Sequence, residues 1–180
     1  VSWSLKTASA NVPTSSMPTF DLALAQFEDS INDAQKNGPW RFGFNHDVDL
    51  GLNNAGVWTV LPSGDRIWRL EVYSKNALSL NLIFDDITIP AGATVQLYSP
   101  DMSQVIGSYT QQNNNAEHML GTEILDGERM IVEYFEPAEV QGQGTINIGT
   151  VTHGYRHVHT YADQVFKALN SSGDCNVDIG

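Results

Sequence analysis

GVWTVLPSGDRIWRLEVYS, residues 56–74, holds two apolar runs on either side of Pro62-Ser63-Gly64-Asp65. Turn residues between two β-prone runs are a hairpin signature. In the second run Trp68, Leu70 and Val72 point one way and Arg69, Glu71 and Tyr73 the other, the period-2 pattern of a strand with one buried side. The alternation recurs next in ALSLNLIF (77–84), where Leu78, Leu80, Leu82 and Phe84 oppose Ser79, Asn81 and Ile83. DDITIPAGATVQLYSPD (85–101) follows, with Pro90-Ala91-Gly92 as a turn ahead of Val95, Leu97 and Ser99. Further strands are predicted in VIGSYT (105–110), HMLGTEIL (118–125), RMIVEYFEP (129–137) and GTINIGTVTHGY (144–155), and QQNNNAE (111–117) reads as a polar loop. Turn signals about every 8–12 residues predict a mainly β chain: an antiparallel, jelly-roll-like β-sandwich of about eight or nine strands.

Upstream, the pattern differs. Residues 1–18 are rich in Ser, Thr, Ala and Pro without a sustained period and read as an extended arm. TFDLALAQFEDSINDAQKNG (19–38) is the one convincing helix: Phe20, Leu24, Phe27, Ile31 and Ala34 recur at helical spacing as one apolar stripe. Thr19 is the expected cap, Asp21, Glu28 and Asp29 lie in the first half, Lys36 closes the last turn and Gly38 is the expected stop. A helix with one apolar face is expected to lie on the sheet. The organisation is therefore arm plus helix over 1–38, a β-sandwich over 39–156, and a linker over 157–180 in which TYADQVFKAL offers a short helical pattern through Tyr161, Val165 and Leu169.

A chain of 180 residues can bury about 70% of its unfolded surface and needs no metal or disulfide to fold. Lys plus Arg number 9 against 21 Asp plus Glu, a net charge of −12. That balance argues against nucleic acid, whose phosphates need cations, and against an anionic membrane surface. No apolar run approaches the ~18 residues of a membrane span. The opening VSWSLK carries no signal-peptide pattern and reads as the start of a mature or cut product. A monomer without cofactor is expected. Cys175 is the only cysteine, so any disulfide needs a partner outside this sequence.

Few motifs carry chemistry. His153, His157 and His159 in HGYRHVH lie close in sequence, but a metal needs imidazoles that converge, and ordinary strand-end histidines are the expectation. Asn45, Asp47 and Asp49 alternate as at the start of a calcium loop, yet Leu50 stands where its glycine belongs and the closing Glu is missing. Asp85-Asp86 is expected to be turn chemistry rather than a catalytic pair. GxSxG, phosphate-loop and dinucleotide patterns are absent from the sequence. Trp40, Trp58 and Trp68 are candidates for a sugar-stacking row in a carbohydrate- or surface-binding module. Because Trp58 and Trp68 flank the hairpin, cross-strand packing is the expectation for those two.

PWRFG (39–43), VDLGLNNAGVWTVLPSGDRIWRLEVYS (48–74), LSLNLIFDDITIPAGATVQLYS (78–99), ERMIVEYFEPAE (128–139) and VTHGYR (151–156), in this order, resemble the N-terminal pro-region of secreted bacterial trypsin-like serine endopeptidases of the lysyl endopeptidase type. SGDCNVDIG (172–180) resembles the opening of that family's mature protease. The resemblance implies a secreted, non-enzymatic pro-domain whose partner is the catalytic domain of the parent protease. It implies that Cys175 bonds to a cysteine of that domain. Lys167 is the only lysine after Lys75, so a lysine-specific parent would cut Lys167–Ala168.

Overall fold

The computed structural model describes residues 11–36 and 38–158. Eleven strands and one α-helix lie among the described residues. They are β1 (Thr14–Ser16), α1 (Leu22–Gln35), β2 (Gly43–Gly51), β3 (Val57–Val60), β4 (Arg66–Tyr73), β5 (Ser79–Thr88), β6 (Thr94–Tyr98), β7 (Val105–Tyr109), β8 (Leu120–Gly121), β9 (Leu125–Asp126), β10 (Arg129–Glu136) and β11 (Thr145–Gly154). The chain is mainly β, in two sheets that do not close into a barrel.

The first sheet runs β4-β10-β6-β7, and the free edge of β4 is shared. β3 pairs antiparallel with its first half, setting Trp58 opposite Trp68, and β1 runs parallel to its second half. The second sheet runs β2-β11-β5, with β8 and β9 as short additions along β5. One buried cluster draws on both sheets. Trp68, Leu70 and Val72 of β4 and Met130, Val132 and Tyr134 of β10 meet Leu80, Leu82 and Phe84 of β5 and Ile146, Ile148 and Val151 of β11 there. The period-2 expectation for β4 therefore holds residue by residue. In β5 it holds from Leu80 onward, while Leu78 precedes the strand and is exposed.

The hairpin is closed as expected by Leu61 N–H to the Asp65 carbonyl at 2.8 Å and Gly64 N–H to the Leu61 carbonyl at 2.9 Å. The Pro90 turn is closed by Ala93 N–H at 3.1 Å. HMLGTEIL is not one strand but the two short segments β8 and β9. That split, together with β1 and with β2, which the sequence hides, accounts for the strand number above expectation.

Helix α1 corrects two expectations. Its cap is Asp21, not Thr19: Asp21 Oδ1 accepts from Leu24 N–H at 2.9 Å. It stops at Lys36, which adopts the left-handed conformation (φ 54°), before Gly38 is reached. The third correction is larger. The apolar stripe does not lie on a sheet: Leu24, Phe27 and Ile31 are 53%, 63% and 39% exposed, and the buried residues of α1 are Ala25 and Asp29. At 3.6 residues per turn the helix is rotated by roughly 140° from the expected orientation.

Candidate functional site

What turns the helix is a carboxylate. Asp29 is buried against the segment before β2 and the end of β11. Arg41 Nε donates to its Oδ1 at 2.7 Å, Tyr155 Oη donates to its Oδ2 at 2.7 Å, and Arg156 Nη1 lies 3.6 Å from Oδ2. Arg41 also reaches the Ala25 carbonyl at 2.9 Å and Glu28 at 3.1 Å, and Arg156 donates to Asp33 at 2.7 Å. The hydrogen bond from Asp29 is the main cause that raises the Arg41 guanidinium above its usual range, against the opposing effect of burial. Burial, then the Asp29 contact, pushes the Tyr155 phenol up to about 12. An unpaired buried carboxylate is costly, so this side of α1 must face its cations. The apolar stripe is left outward as a consequence.

Phe20, expected in the stripe, lies outside the helix and pins its start. Its ring stacks on Phe44 at 4.3 Å and meets His153 edge-on at 4.9 Å and His46 at 5.8 Å. Both imidazoles are buried. Burial lowers the pKa of each, and for His153 the neighbouring His46 adds to the fall while Glu128 opposes it. Ser74 Oγ lies 2.7 Å from His153 Nδ1, a largely buried serine–imidazole pair.

His153 is in this buried cluster, His157 is exposed beyond β11, and His159 lies outside the described residues. No group of three or more metal-binding side chains occurs among the described residues. Asn45, Asp47 and Asp49 are successive outward positions of β2, exposed because a strand alternates and not because a loop wraps a cation. Asp85-Asp86 is corrected from a turn to the interior of β5. There the pairing with β11 slips between Asn147 and Ile148, and Asn147 Nδ2 donates to Asp85 Oδ1 at 3.0 Å. Trp68 is fully buried, with Nε1 donating to the Ala55 carbonyl at 2.9 Å. Trp58 packs edge-on to Tyr134 at 5.9 Å under the guanidinium of Arg66. Neither joins Trp40, so the three tryptophans form no row. Lys167, Ala168 and Cys175 lie outside the described residues.

The second sheet has a face turned away from the shared core, whose shape no sequence pattern marks. Thr152 of β11 sits between Asn45 of β2 and Asn81 of β5 in register, with the rows Asp47–Thr150–Ile83 and Gly43–Gly154–Ser79 on either side. Two hollows of about 750 Å³ and 530 Å³ lie on this face and share Phe42 and Asn81. Trp40 and Arg41 rim the first, and Thr122, Glu123 and Ile124 rim the second. Arg156 stacks over Trp40 at 4.5 Å. Thr152 Oγ1 donates to Asn45 Oδ1 at 2.9 Å, whereas the buried Oδ1 of Asn81 accepts no hydrogen bond. No helix among the described residues is long and apolar enough to cross a membrane. No protein-family model matches the chain.

Proposed function

We propose that this chain is the N-terminal pro-domain of a secreted bacterial trypsin-like serine endopeptidase of the lysyl endopeptidase type. Its two sheets are read as an antiparallel, jelly-roll-like sandwich. It carries no catalytic machinery of its own and acts by binding the catalytic domain, as an intramolecular chaperone and as a latency inhibitor. The observation that supports a binding role is the outward stripe of Leu24, Phe27 and Ile31 on a helix fixed by ion pairs. Exposed apolar side chains grouped on a rigid element mark a contact surface. The blocks that resemble the pro-region supply β3, β4, β5, β6 and β10, most of β2 and the end of β11, the frame that holds this helix.

A trypsin-like domain is β-rich and of high contact order, and such folds form slowly. A preformed surface that binds the native arrangement stabilises it by mass action. The same complex keeps the cleft closed until the link is cut. In that cut the protease serine attacks the Lys167 carbonyl carbon, the Ala168 amine leaves with a proton, and water then releases Lys167 as a free carboxylate. Cys175 stays with the protease and pairs with a cysteine there.

Titrating the purified chain against a lysine-specific trypsin-like protease tests the reading. Saturable inhibition is expected, weakened roughly tenfold or more by Leu24→Ser with Phe27→Ser, because truncating an apolar anchor costs more than ~1 kcal/mol. Absence of inhibition with a fully folded chain rules the proposal out.

A further inference from the structure

We propose that the open edge of β2 is a docking site for a basic, extended segment of another protein, which adds to the second sheet as a strand. This proposal does not depend on the protease reading. β2 stands at the end of the order β2-β11-β5, so one side of it pairs with β11 and the other is unpaired among the described residues. Tyr155 N–H donates to the Phe42 carbonyl at 3.0 Å, and Leu78 N–H donates to the Gly154 carbonyl at 2.8 Å. Main-chain groups alternate in direction along an antiparallel strand. Phe44 and His46 therefore spend theirs on β11, and the N–H and C=O of Asn45 and of Asp47 point out from the edge. Both residues are exposed. Further along, the pairing with β11 slips between Asp47 and Leu50, and the chain closes its own edge there. Asn54 Oδ1 accepts from Gly51 N–H at 2.6 Å, and Asn54 Nδ2 donates to the Asp49 carbonyl at 3.1 Å. The regular stretch around Asn45 and Asp47 has no such plug. Proline and lysine, which often guard an exposed edge, are absent from Gly43–Gly51.

The side chains along that edge define the partner. On one face of β2 Asn45, Asp47 and Asp49 are exposed, and neither aspartate has an ion-pair partner among the described residues. On the other face Phe44, Val48 and Leu50 are only half-buried, an apolar margin that the sheet leaves uncovered. A strand with lysine or arginine on one face and apolar residues on the other fits both. Its cations lie across the ladder from Asp47, and its apolar side chains cover the margin. A second copy of this chain fits poorly. Antiparallel pairing of β2 with itself would set the aspartates of both copies on one face, and like charges opposed across a ladder destabilise it. The net charge of −12 acts in the same direction at longer range, repelling acidic chains and drawing basic ones. An amphipathic helix would leave the main-chain groups of the edge without partners, since its own are spent internally.

The test is an NMR titration of the whole chain with a capped octapeptide of alternating valine and lysine. Saturable binding is expected with a dissociation constant below about 1 mM, with slowed exchange of the Asn45 and Asp47 amides. The valine–glutamate counterpart should bind at least about tenfold more weakly, because each cross-strand charge contact changes sign. Asn45→Pro removes an edge donor and sets a ring in the path of the strand, and should weaken binding about tenfold or more. Asn45→Ala is its control. It loses the same contact with Thr152 but keeps the N–H. It should bind within about twofold of wild type, and the two variants should melt within a few degrees of each other. Asp47→Lys should exchange the preference between the two peptides. A dissociation constant above about 1 mM for the valine–lysine peptide overturns the proposal. So does equal binding of the valine–glutamate peptide, or wild-type binding by Asn45→Pro. A melting temperature for Asn45→Pro far below that of Asn45→Ala would mean that the Asn45 amide serves β11, with the same consequence. Dimerisation of the chain alone that Asn45→Pro abolishes would make a second copy the occupant and overturn the partner assigned. Leu24→Ser should leave peptide binding unchanged, so this test and that of the protease reading fail separately.

Discussion

Asp29→Asn is the sharpest perturbation of the helix. The substitution keeps shape and removes charge. In the wild type Asp29 receives two short charge- or phenol-donated hydrogen bonds, from Arg41 and Tyr155 at 2.7 Å each, and has Arg156 at 3.6 Å. Hydrogen bonds to a charged partner contribute ~1.5–3 kcal/mol each, so the two suggest ~3–6 kcal/mol at face value. Arg41 is 38% exposed in its side chain, and solvent screens what it loses. A discounted figure of ~2–4 kcal/mol is the expectation. Because α1 buries only Ala25 besides Asp29, this loss should appear as local undocking rather than global unfolding. At ~1.36 kcal/mol per decade, amide exchange of residues 25–35 should accelerate by about 30- to 900-fold, while the strands of both sheets exchange as before. Ultraviolet titration provides a second reading. The Tyr155 phenol, held up to about 12 first by burial and then by Asp29, should move down only in part, because burial remains. If α1 exchange in the variant matches wild type within a few-fold, the carboxylate does not hold the helix.

Four further outcomes follow from the same structure. Glu133→Ala removes a partner of buried Arg69, whose Nε donates at 2.8 Å, and of Tyr98, at 2.9 Å; denaturant unfolding should show a loss of up to ~3–5 kcal/mol, the cost of breaking a buried pair from one side. Gly56→Ala should destabilise by more than ~1 kcal/mol, because φ is +69° there and a Cβ would run into the Trp68 ring; a melting curve equal to wild type contradicts this. Burial holds the imidazoles of His46 and His153 below the usual value of 6.5, so the unfolded chain binds their protons first. Their contribution is complete above about pH 6.5 and is lost as pH falls toward the depressed folded values, at up to ~1.4 kcal/mol per pH unit and group. Replacing both by Gln should flatten the stability profile in that window. Finally, Lys167→Ala in the full precursor should abolish the product that ends at Lys167, read by mass spectrometry; an unchanged product refutes the processing site.

The strands were legible where one face is buried in a uniform core. Trp68, Leu70 and Val72 announce β4 because every second residue meets the shared cluster. β2 was hidden for the opposite reason. Its inward positions are Phe44, His46, Val48 and Leu50, and its outward ones Asn45, Asp47 and Asp49, so a histidine interrupts the apolar series and the acids mimic a cation loop. β8 and β9 were merged because Thr122 and Glu123 continue the alternation that the chain breaks by bending, with Thr122 N–H bonded to the Leu82 carbonyl at 2.9 Å. The helix was legible in existence and place but not in its ends or its orientation. Periodicity marks which residues share a face, whereas the choice of face rests on Arg41, Tyr155 and Arg156, up to 127 positions away from Asp29 (156 − 29). The groove is likewise a product of register: no spacing in the sequence sets Asn45, Thr152 and Asn81 side by side.

The orientation of α1 is a competition whose two sides can be weighed. Turning Leu24, Phe27 and Ile31 inward would gain ~1.5–3 kcal/mol for each side chain fully buried, but it would carry Asp29 out to water and strand the phenol of Tyr155 and the guanidiniums beside it. A buried charge left without its partner costs ~3–5 kcal/mol, and Tyr155 would lose its acceptor besides, so the two sides are of the same order; the structure takes the polar arrangement. What the arrangement yields is a rigid helix with its apolar side unspent. A surface of that kind adds nothing to the stability of the chain alone, and its free energy becomes available only when something apolar covers it. The consequence is a separation of roles within one helix. Substitutions at Asp29 should change helix docking and binding together, whereas Ser at Leu24 or Phe27 should leave the melting temperature within a degree or two of wild type and change binding alone. A large loss of stability on truncating Phe27 would mean that the stripe is already covered within the chain, and the docking role assigned to it would fall.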